Sequence, residues 1–240
     1  MTDPIVAVDL GRRPYGDVLE LQRGLCRARL DGRLDRDLLL LVEHDPVITL
    51  GRSTKATSLP LAPELLTRRG VEVFEVERGG DVTLHAPGQL VGYPILDLAT
   101  YRQDLHWYLR QLEETLIQSL ATFGIPAERN PGLTGVWTNG RKIASIGIHV
   151  KRWVTFHGFA LNVTTDLSLF DLIVPCGIHG VTMTSVAREA PAQSPADLPP
   201  RVRDETARAF GAVFERPIRF EPALPSFDLG EPVEHGSPAA

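Results

Sequence analysis

A glycine-rich segment at residues 78–89 joins an arginine, a histidine and a Pro-Gly turn between two short apolar runs. Glycine leaves room above the backbone and tolerates positive φ, so a glycine pair lets a ligand approach the chain closely. The glycines could also serve only the geometry of a strand–turn–strand corner. Arg78 and His85 are costly to bury without partners, which favours a binding loop. The segment lacks the spacing of a Walker phosphate loop or of a dinucleotide-binding fingerprint.

Lys142 opens an apolar strand immediately after an Asn-Gly pair that is typical of a hairpin turn. It could be a solvated lysine that blunts the edge of the strand. It could instead pack its stem on the strand and place its amine in a cleft, where partial desolvation favours a base that works near neutral pH. Small residues at matched places on this strand and the next could frame an apolar slot. They are Ala144, Ser145 and Gly147 on the first strand, and Gly158 and Ala160 on the second.

Cys176 lies in an apolar run between Pro175 and Gly177. A cysteine in such a run is usually an inert small hydrophobic residue. The flanking proline and glycine instead indicate a tight turn that opens the backbone beside the sulfur, as a reactive thiol needs. Cys26 lies on an arginine-rich predicted helix without this framing, and we expect it to be structural.

Taken in order, these segments resemble the octanoyltransferases of lipoate synthesis. The similarity runs from about Leu38 to Val186. Any one motif would be weak, but their occurrence together and in order is specific. Residues Met183 and Thr184 depart from the usual Ser-Leu of the family, which affects packing more than chemistry. The shared motifs are Arg78-Gly-Gly-x-x-Thr-x-His-x-Pro-Gly-Gln89, Gly135-Val-Trp137, Lys142-Ile-Ala-x-Ile-Gly147, His157-Gly-Phe-Ala-Leu-Asn162, Val174-Pro-Cys-Gly-Ile178 and Gly180-Val-Thr182.

The resemblance implies the biotin/lipoate protein ligase-like fold and one reaction of protein lipoylation. In that reaction an octanoyl (or lipoyl) group moves from the phosphopantetheine thioester of acyl carrier protein to the ε-amine of a lysine on a lipoyl domain. The acceptors would be lipoyl domains of 2-oxoacid dehydrogenases and the glycine cleavage H protein, in the first step of the endogenous lipoate pathway. A thioester donor is already activated, so the resemblance implies no ATP, no metal and no other cofactor.

The same resemblance assigns roles to individual residues. Cys176 would be the nucleophile that holds the acyl group as a thioester, and Lys142 the general acid/base beside it in a ping-pong reaction. His85 would orient the substrate or hydrogen-bond near the reacting carbonyl, and backbone N–H groups around Gly177 could stabilise the oxyanion. The implied substrate-binding residues are Arg78, Gly79, Gly80, Asp81, Val82, Thr83, Leu84 and His85, then Ser145, Ile146 and Gly147, then Gly158, Phe159 and Ala160.

An octanoyl chain needs a narrow apolar channel. Burial of its seven methylene and methyl groups would contribute roughly 5 kcal/mol of gross affinity, enough to measure chain length against the channel floor. We expect Leu90, Leu161 and Tyr93 as candidates for that floor.

Three other functions remain open at this point. An ATP-dependent lipoate or biotin ligase of the same fold would form an acyl-adenylate and need no cysteine nucleophile. A non-catalytic module would bind an acyl group or a carrier protein without becoming acylated. A cysteine hydrolase would pair Cys176 with a histidine. The Pro-Cys-Gly sequence favours the transferase.

Hydrophobic periodicity predicts the elements that position these residues. We expect a single α/β (α+β) domain over residues 1–220, with a mixed or mostly antiparallel sheet flanked by helices, and a loosely ordered tail over residues 221–240. Residues 190–200 are expected to form a loop. Strands are predicted at 5–10, 37–42, 47–50, 71–76, 90–98, 135–137, 142–150 and 154–163, and helices at 14–30, 63–69, 104–123 and 201–214.

Bulk composition excludes several classes of protein. Of the 240 residues, 43% are apolar and 23% are charged, which is typical of a globular protein. No apolar run approaches the roughly 20 residues that span a bilayer, and no secretory signal is expected. Two cysteines cannot form a disulfide framework, so we expect a reduced cytoplasmic protein, and we expect it to be a monomer. A net charge of −5 argues against nucleic-acid binding.

Carrier proteins and lipoyl domains are usually acidic, so docking on this acidic chain would need local basic patches. Charged clusters are more often only solvated surface. The candidate patches are Arg12 with Arg13, Arg52 with Lys55, Arg141, and Lys151 with Arg152.

Overall fold

The apolar runs of the sequence pair into two sheets. The computed structural model describes residues 3–174 and 181–224, and within them the chain forms ten strands and five α-helices. The strands are β1 (Ile5–Arg13), β2 (Leu38–His44), β3 (Val47–Leu50), β4 (Glu72–Glu75), β5 (Val82–His85), β6 (Gln89–Ile95), β7 (Val136–Thr138), β8 (Arg141–Lys151), β9 (Val154–Asn162) and β10 (Ile218–Glu221). The helices are α1 (Tyr15–Leu30), α2 (Pro63–Arg68), α3 (Leu105–Ala121), α4 (Val186–Glu189) and α5 (Leu198–Val213).

The larger sheet has seven strands in the order β10-β1-β2-β6-β9-β8-β7. Its first two pairings, β10 with β1 and β1 with β2, are parallel, and the others are antiparallel. The predicted mixed α/β sheet flanked by helices is therefore confirmed. The smaller sheet, of order β4-β3-β5, was not foreseen as a separate sheet.

Strand β2 shows why the larger sheet is covered on both faces. Its sequence, Leu-Leu-Leu-Leu-Val, is apolar at every position, and alternate side chains of a strand point to opposite faces. Leu39 and Leu41 pack with helix α3, whereas Leu38 and Leu40 pack with Leu25 of helix α1. Helices α3 and α5 thus cover one face of the sheet, and α1 covers part of the other.

Helix α3 is the clearest case of a helix set by its sequence. The side chain of Asp104 accepts a hydrogen bond from the N–H of Trp107 and caps its first turn. Leu112, Leu116 and Leu120 recur at helical spacing and are fully buried. Gly124, with φ of 73°, follows the end of the helix, as the sequence predicts.

The smaller sheet carries the glycine-rich segment over the larger one. Ile48 of β3 and Leu84 of β5 are fully buried in a third apolar cluster with Phe170 and Ile173. The N–H of Gly79 donates to the carbonyl of Ile148 on β8 (2.8 Å), which joins the two sheets at the point where the segment crosses. The region between them is where the candidate site lies.

Two boundaries near the C-terminus differ from expectation. Helix α5 begins at Leu198 rather than at residue 201, because Pro199 and Pro200 lie in its first turn, where no backbone N–H is needed. Strand β10 was not predicted, and it includes Glu221, which pairs with Val8, so the expected tail starts too early. Residues 225–240 of that tail lie outside the described residues, and so does Cys176, in residues 175–180.

None of the helices within residues 3–174 and 181–224 has the length and apolar character needed to cross a bilayer.

Candidate active site

A cavity of about 340 Å³ lies between the two sheets. It is bounded by twelve of the fourteen predicted substrate-binding residues, the exceptions being Gly79 and Leu84. Leu84 points to the opposite side of β5 and is fully buried. The other lining residues include Tyr15, Ser53, Lys55, Tyr93, Gly132, Leu133, Thr134, Trp137, Lys142, His157 and Val181.

Small residues form one wall of the cavity, as the sequence predicts. Ser145 pairs directly with Ala160, and Gly147 pairs with Gly158, across the β8–β9 ladder. A Cβ atom at Gly147 would lie 3.0 Å from both Arg78 Cδ and the carbonyl oxygen of Gly79. The glycine therefore allows the 78–85 segment to lie close over the strand.

A β-bulge aims Lys142 into the cavity. Val136 pairs with Ala144 and Trp137 pairs with Lys142, so β8 holds one extra residue, Ile143, opposite β7. Ile143 and Ala144 are both fully buried in the apolar cluster beneath α3. Because Ile143 and Ala144 both point into that cluster, Lys142 lies on the face of Ser145 and Gly147, whereas strict alternation over residues 142–145 would place it on the apolar face.

Two groups among the described residues contact the amine of Lys142. Its side chain is only 2% exposed, Nζ donates to the carbonyl of Thr134 (3.2 Å), and Nζ lies 4.9 Å from the ring centroid of Trp137. Both contacts fix the position of the amine.

Helix α3 fixes the loop beside this amine through a buried carboxylate. Glu113 is 1% exposed, and its Oε1 accepts a hydrogen bond from the N–H of Gly135 (3.2 Å). Its Oε2 pairs with Arg110 and Arg129. Gly135 has φ of 131°, and a Cβ there would lie 2.8 Å from Lys142 Cε. No sequence signal pointed to Glu113, because helical periodicity shows only that it shares a turn with apolar residues.

The chain that carries Cys176 is anchored at both ends of the undescribed residues. The N–H of Val174 donates to the carbonyl of Ser58 (2.9 Å), and Ser58 Oγ donates to Asp81 (2.8 Å). On the other side, Val181 lines the cavity together with Lys142. The predicted nucleophile itself lies outside the described residues.

Two neutral histidines support the polar end of the cavity. Burial lowers the pKa of His85 to about 3 and that of His44 to about 4. His44 Nδ1 lies 2.8 Å from the carbonyl of Arg13, so Nδ1 carries the proton and Nε2 accepts from the hydroxyl of Tyr93 (2.9 Å). The ring of Tyr15 stacks on His85 with centroids 5.8 Å apart. Neither histidine can act as an acid near neutral pH.

Arg78 lines the cavity, but its guanidinium donates hydrogen bonds to other groups of the protein. Its Nη2 donates to the carbonyl (2.7 Å) and Oγ1 (2.9 Å) of Thr49, and Nη1 donates to the carbonyl of Gly79 (3.0 Å). The guanidinium is therefore a fixed positive charge in the wall of the cavity, only 6% exposed.

His157 occupies a strained position in the middle of β9. Its φ is 56°, in the left-handed region, and its N–H donates to Gln22 Oε1 on α1 (2.8 Å). Its Nε2 lies 3.8 Å from Glu77 Oε2, and burial lowers the pKa of the ring. Burial pushes the pKa of Glu77 up, but hydrogen bonds with His157 and Arg23 bring it well below its usual range. The sequence motif contained His157, but no role was predicted for it.

Of the three residues expected at the channel floor, one lines the cavity and two lie against the apolar cluster on the opposite face of the sheet. Tyr93 lines the cavity. Leu161 is buried on the opposite face of the sheet, beneath α3, and Leu90 packs against the same cluster. The reason is strand alternation: Leu161 follows Ala160 on β9, and Leu90 lies an odd number of residues from Tyr93 on β6. Tyr15 and Thr134, which also line the cavity, were missed because neither belongs to a recognisable motif.

Comparison with known proteins agrees with this geometry. The family described as "Lipoyl protein ligase A/B catalytic domain" matches residues 14–207. The octanoyltransferase of Gloeobacter violaceus is 50% identical over 208 residues, which cover 87% of this chain and 91% of that protein. The octanoyltransferase of Acidobacterium capsulatum is 50% identical over 218 residues, which cover 85% and 88% of the two chains.

A solved structure shows the same fold at low sequence identity. It is a bi-partite lipoate protein ligase, reported with its E2 lipoyl domain, from Thermoplasma acidophilum. The TM-score is 0.72 with 17% identity, over 92% of this chain and 87% of the other. With the family match and the close relatives, this chain belongs to the lipoyl protein ligase A/B catalytic domain family and is an acyltransferase.

Proposed function

We propose that this protein transfers an octanoyl group from acyl carrier protein to a lysine of lipoyl domains, through a thioester on Cys176 with Lys142 as general acid/base. Lipoyl-group transfer from the same donor would use the same site. The observation that carries the proposal is the buried amine of Lys142, which a bulge turns into a cavity walled by small residues. The identity of about 50% with octanoyltransferases supports the acyl group.

The first half-reaction forms the acyl-enzyme. The amine of Lys142 takes the thiol proton of Cys176, and the thiolate attacks the thioester carbonyl of the donor. A new C–S bond forms to Cys176 while the bond to the phosphopantetheine sulfur breaks. The departing thiolate receives the proton from the Lys142 ammonium. The ring of Trp137, 4.9 Å from Nζ, stabilises that ammonium while it exists.

The second half-reaction is aminolysis. The ε-amine of the acceptor lysine attacks the Cys176 thioester, and an amide bond forms as the C–S bond breaks. Lys142 takes a proton from the attacking nitrogen and returns it to the cysteine sulfur. One side chain thus serves both halves, and the enzyme ends in its starting protonation state.

The arrangement of the strands supports an acyl chain of limited length. Lys142 lies on β8, and Tyr93 lies on β6, two strands away across the larger sheet. Neighbouring strands are about 4.8 Å apart, so the two residues are separated across the sheet by roughly 10 Å. An extended eight-carbon chain fills such a span. Between the two strands lies Ala160 of β9, which keeps the path open.

Ion pairs within the protein make some of the candidate docking patches less suitable for acidic partners. Arg12 pairs with Asp45, and Arg141 pairs with Glu189, so both charges are offset locally. Arg52 instead contacts His149 (3.1 Å). We propose that the acidic carrier protein and lipoyl domain dock on the exposed surface of Arg52 with Lys55 and of Lys151 with Arg152. Lys55 lies at the rim of the cavity.

The proposed reaction uses no ATP, metal or other cofactor, because the thioester already supplies the activated acyl group. A monomer in the cytoplasm would suffice, since the proposed catalytic pair comes from one chain.

Intact-protein mass spectrometry tests the proposal in two stages. Mixing with octanoyl-acyl carrier protein should add one octanoyl group to the protein, and addition of an apo lipoyl domain should discharge it onto that domain. ATP with free octanoate should produce no adduct and no product. Product formation that requires ATP would instead identify a ligase, and an adduct released only to water would identify a hydrolase. A Cys176→Ala variant with normal turnover would overturn the thioester step.

A further inference from the structure

Strands β8 and β9 no longer pair at Asn162, the last residue of β9. The final β8–β9 pair joins Ala144 to Leu161. Beyond it, residues 182–184 lie beside β8 in place of β9. The N–H of Lys142 donates to the carbonyl of Thr182 (2.8 Å), and the N–H of Thr184 donates to the carbonyl of Lys142 (2.9 Å). Residues 182–184 therefore hold the backbone of Lys142 by two hydrogen bonds, and we call this pair of bonds the clamp.

The side chain of Asn162 holds this clamp in place. Asn162 is 1% exposed, and its Nδ2 donates to the carbonyl of Thr184 (3.0 Å). Its Oδ1 accepts from Nε2 of Gln89, which stands directly opposite on β6 (2.9 Å). A buried amide with every atom bonded in this way has one orientation, because reversing it would face donors to donors.

The hydrogen bonds continue from Asn162 through Gln89 to His85 in the cavity wall, and each has a defined direction. Gln89 also donates from Nε2 to the carbonyl of Leu84 (3.2 Å), so its Oε1 is the acceptor for His85 Nδ1 (2.8 Å). His85 therefore carries its proton on Nδ1 and turns the other nitrogen, an acceptor only, away from the network. A chain of three buried side chains, His85, Gln89 and Asn162, thus runs from the cavity wall to the clamp on Lys142.

We propose that Asn162 is a positioning residue: it fixes residues 182–184 against Lys142 and so sets the spacing between that amine and the segment that carries Cys176. Gln89 and His85 hold Asn162 in its orientation. The inference rests on the proposed function, because only a reaction between Cys176 and Lys142 makes their spacing matter. Fully bonded buried networks of this kind rigidify what they join.

Asn162→Asp is the sharpest test, because it keeps the size of the side chain and replaces the donor by a carboxylate oxygen facing the Thr184 carbonyl. All variants are made in protein that carries Cys26→Ala, so that Cys176 is the one remaining thiol. We measure the rate of octanoyl adduct formation from octanoyl-acyl carrier protein, and the rate of iodoacetamide alkylation from about pH 5 to about pH 9.

In Asn162→Asp, adduct formation should slow by about tenfold to a hundredfold, as expected for misplaced reacting groups. The alkylation profile should move toward higher pH, because Lys142 no longer supports the thiolate. The KM for the donor should stay within about twofold, since no atom of the cavity wall is removed. Gln89→Met, which removes the support of Asn162 without touching residues 182–184, should give a smaller change in the same direction.

Ser119→Ala is the matched control. Ser119 Oγ and Thr206 Oγ1 form an equally buried hydrogen bond (2.9 Å) between α3 and α5. Its loss should lower the melting temperature but leave the adduct rate and the alkylation profile unchanged.

Folded Asn162→Asp protein with the parent rate and the parent alkylation profile would overturn the inference. If Asn162→Asp does not fold, Gln89→Met decides in the same way. Absence of any adduct in the parent would instead refute the proposed function, so the two failures are distinguishable.

Discussion

Neighbouring residues of strand β9 show how differently the two faces of the larger sheet are used. Every position of β9 is buried. Leu161 packs into the apolar cluster beneath α3, Gly158 and Ala160 line the cavity, and Phe159 contacts both. The two faces of β9 are therefore equally buried, and they differ in the size of their side chains. One face fills space for stability, and the other leaves space for a ligand.

This contrast predicts that changes on the cavity face impair catalysis and spare stability, and that changes on the helix-covered face do the reverse. Lys142→Arg should cost the most activity. Arginine keeps its proton and cannot act as the base, and general acid/base catalysis contributes about 10²- to 10⁴-fold. We expect a fall of that size in kcat for octanoyl transfer, with little change in melting temperature.

Lys151→Arg is the control for Lys142→Arg, since it makes the same substitution at the exposed end of β8. Its kcat should equal that of the parent, because arginine keeps the positive charge of the proposed docking patch. Lys142→Arg protein that keeps more than about a tenth of the parent activity would point to a different base.

Leu116→Ala tests the opposite face. Leu116 is fully buried beneath the sheet, and truncating such a leucine costs about 2–5 kcal/mol of unfolding free energy. Urea unfolding should show this loss, while the adduct formed per folded molecule stays at the parent level. A loss of specific activity under conditions where the variant is fully folded would mean that the two faces are coupled.

The two buried histidines predict a dependence of stability on pH. The pKa of His44 is lowered to about 4 and that of His85 to about 3, both by burial, whereas each is about 6.5 in the unfolded chain. As pH falls below about 6.5 the unfolded state binds protons that the folded state does not. Each histidine should then lower the unfolding free energy by roughly 1.4 kcal/mol per pH unit, until the folded pKa is reached.

Urea unfolding near pH 7, 6 and 5 measures this slope. His44→Gln keeps a donor and an acceptor but does not titrate. The slope of unfolding free energy with pH should therefore fall by the contribution of one histidine. An unchanged slope in this variant would show that His44 binds protons equally in the folded and unfolded states, contrary to the lowered pKa.

Ala160→Val should have the smallest effect, and a selective one. Ala160 is 4% exposed and faces the path between Lys142 and Tyr93. Each methylene of the acyl chain that the larger side chain excludes costs about 0.8 kcal/mol, or roughly fourfold in KM. The KM for octanoyl-carrier protein should rise, and that for the hexanoyl donor should change less.

Ala207→Val makes the same change on the buried side of α5. It should alter stability without altering the preference between the two donors. Equal KM changes for both donors in Ala160→Val would show that the acyl chain does not pass over β9.

The sequence predicted the elements best where one local pattern determines them. The repeated leucines of α3 and the alternation around β8 and β9 placed both elements within a few residues. The small residues of the cavity wall followed from the same alternation, and their register across the two strands is confirmed.

What the sequence did not reveal depends on contacts between distant residues. Strand β10 is short and half charged, so only its pairing with β1 makes it a strand. The smaller sheet forms because β3 pairs with β4 and β5 at long range. Likewise, the bond from Glu113 to Gly135 joins residues 22 positions apart, and no motif contains both.

The extra residue Ile143 has a consequence for how variants of this protein should be sought. The amine faces the cavity because Ile143 and Ala144 point to the same side of β8, so its direction depends on the backbone bulge and not on any single side chain in between. A scan by substitution would therefore rate Ile143 as an ordinary packing position. A one-residue deletion there would restore strict alternation and leave Lys142, then directly before Ala144, on the face of Ser145, so the strand would lose a buried side chain and keep the direction of its amine.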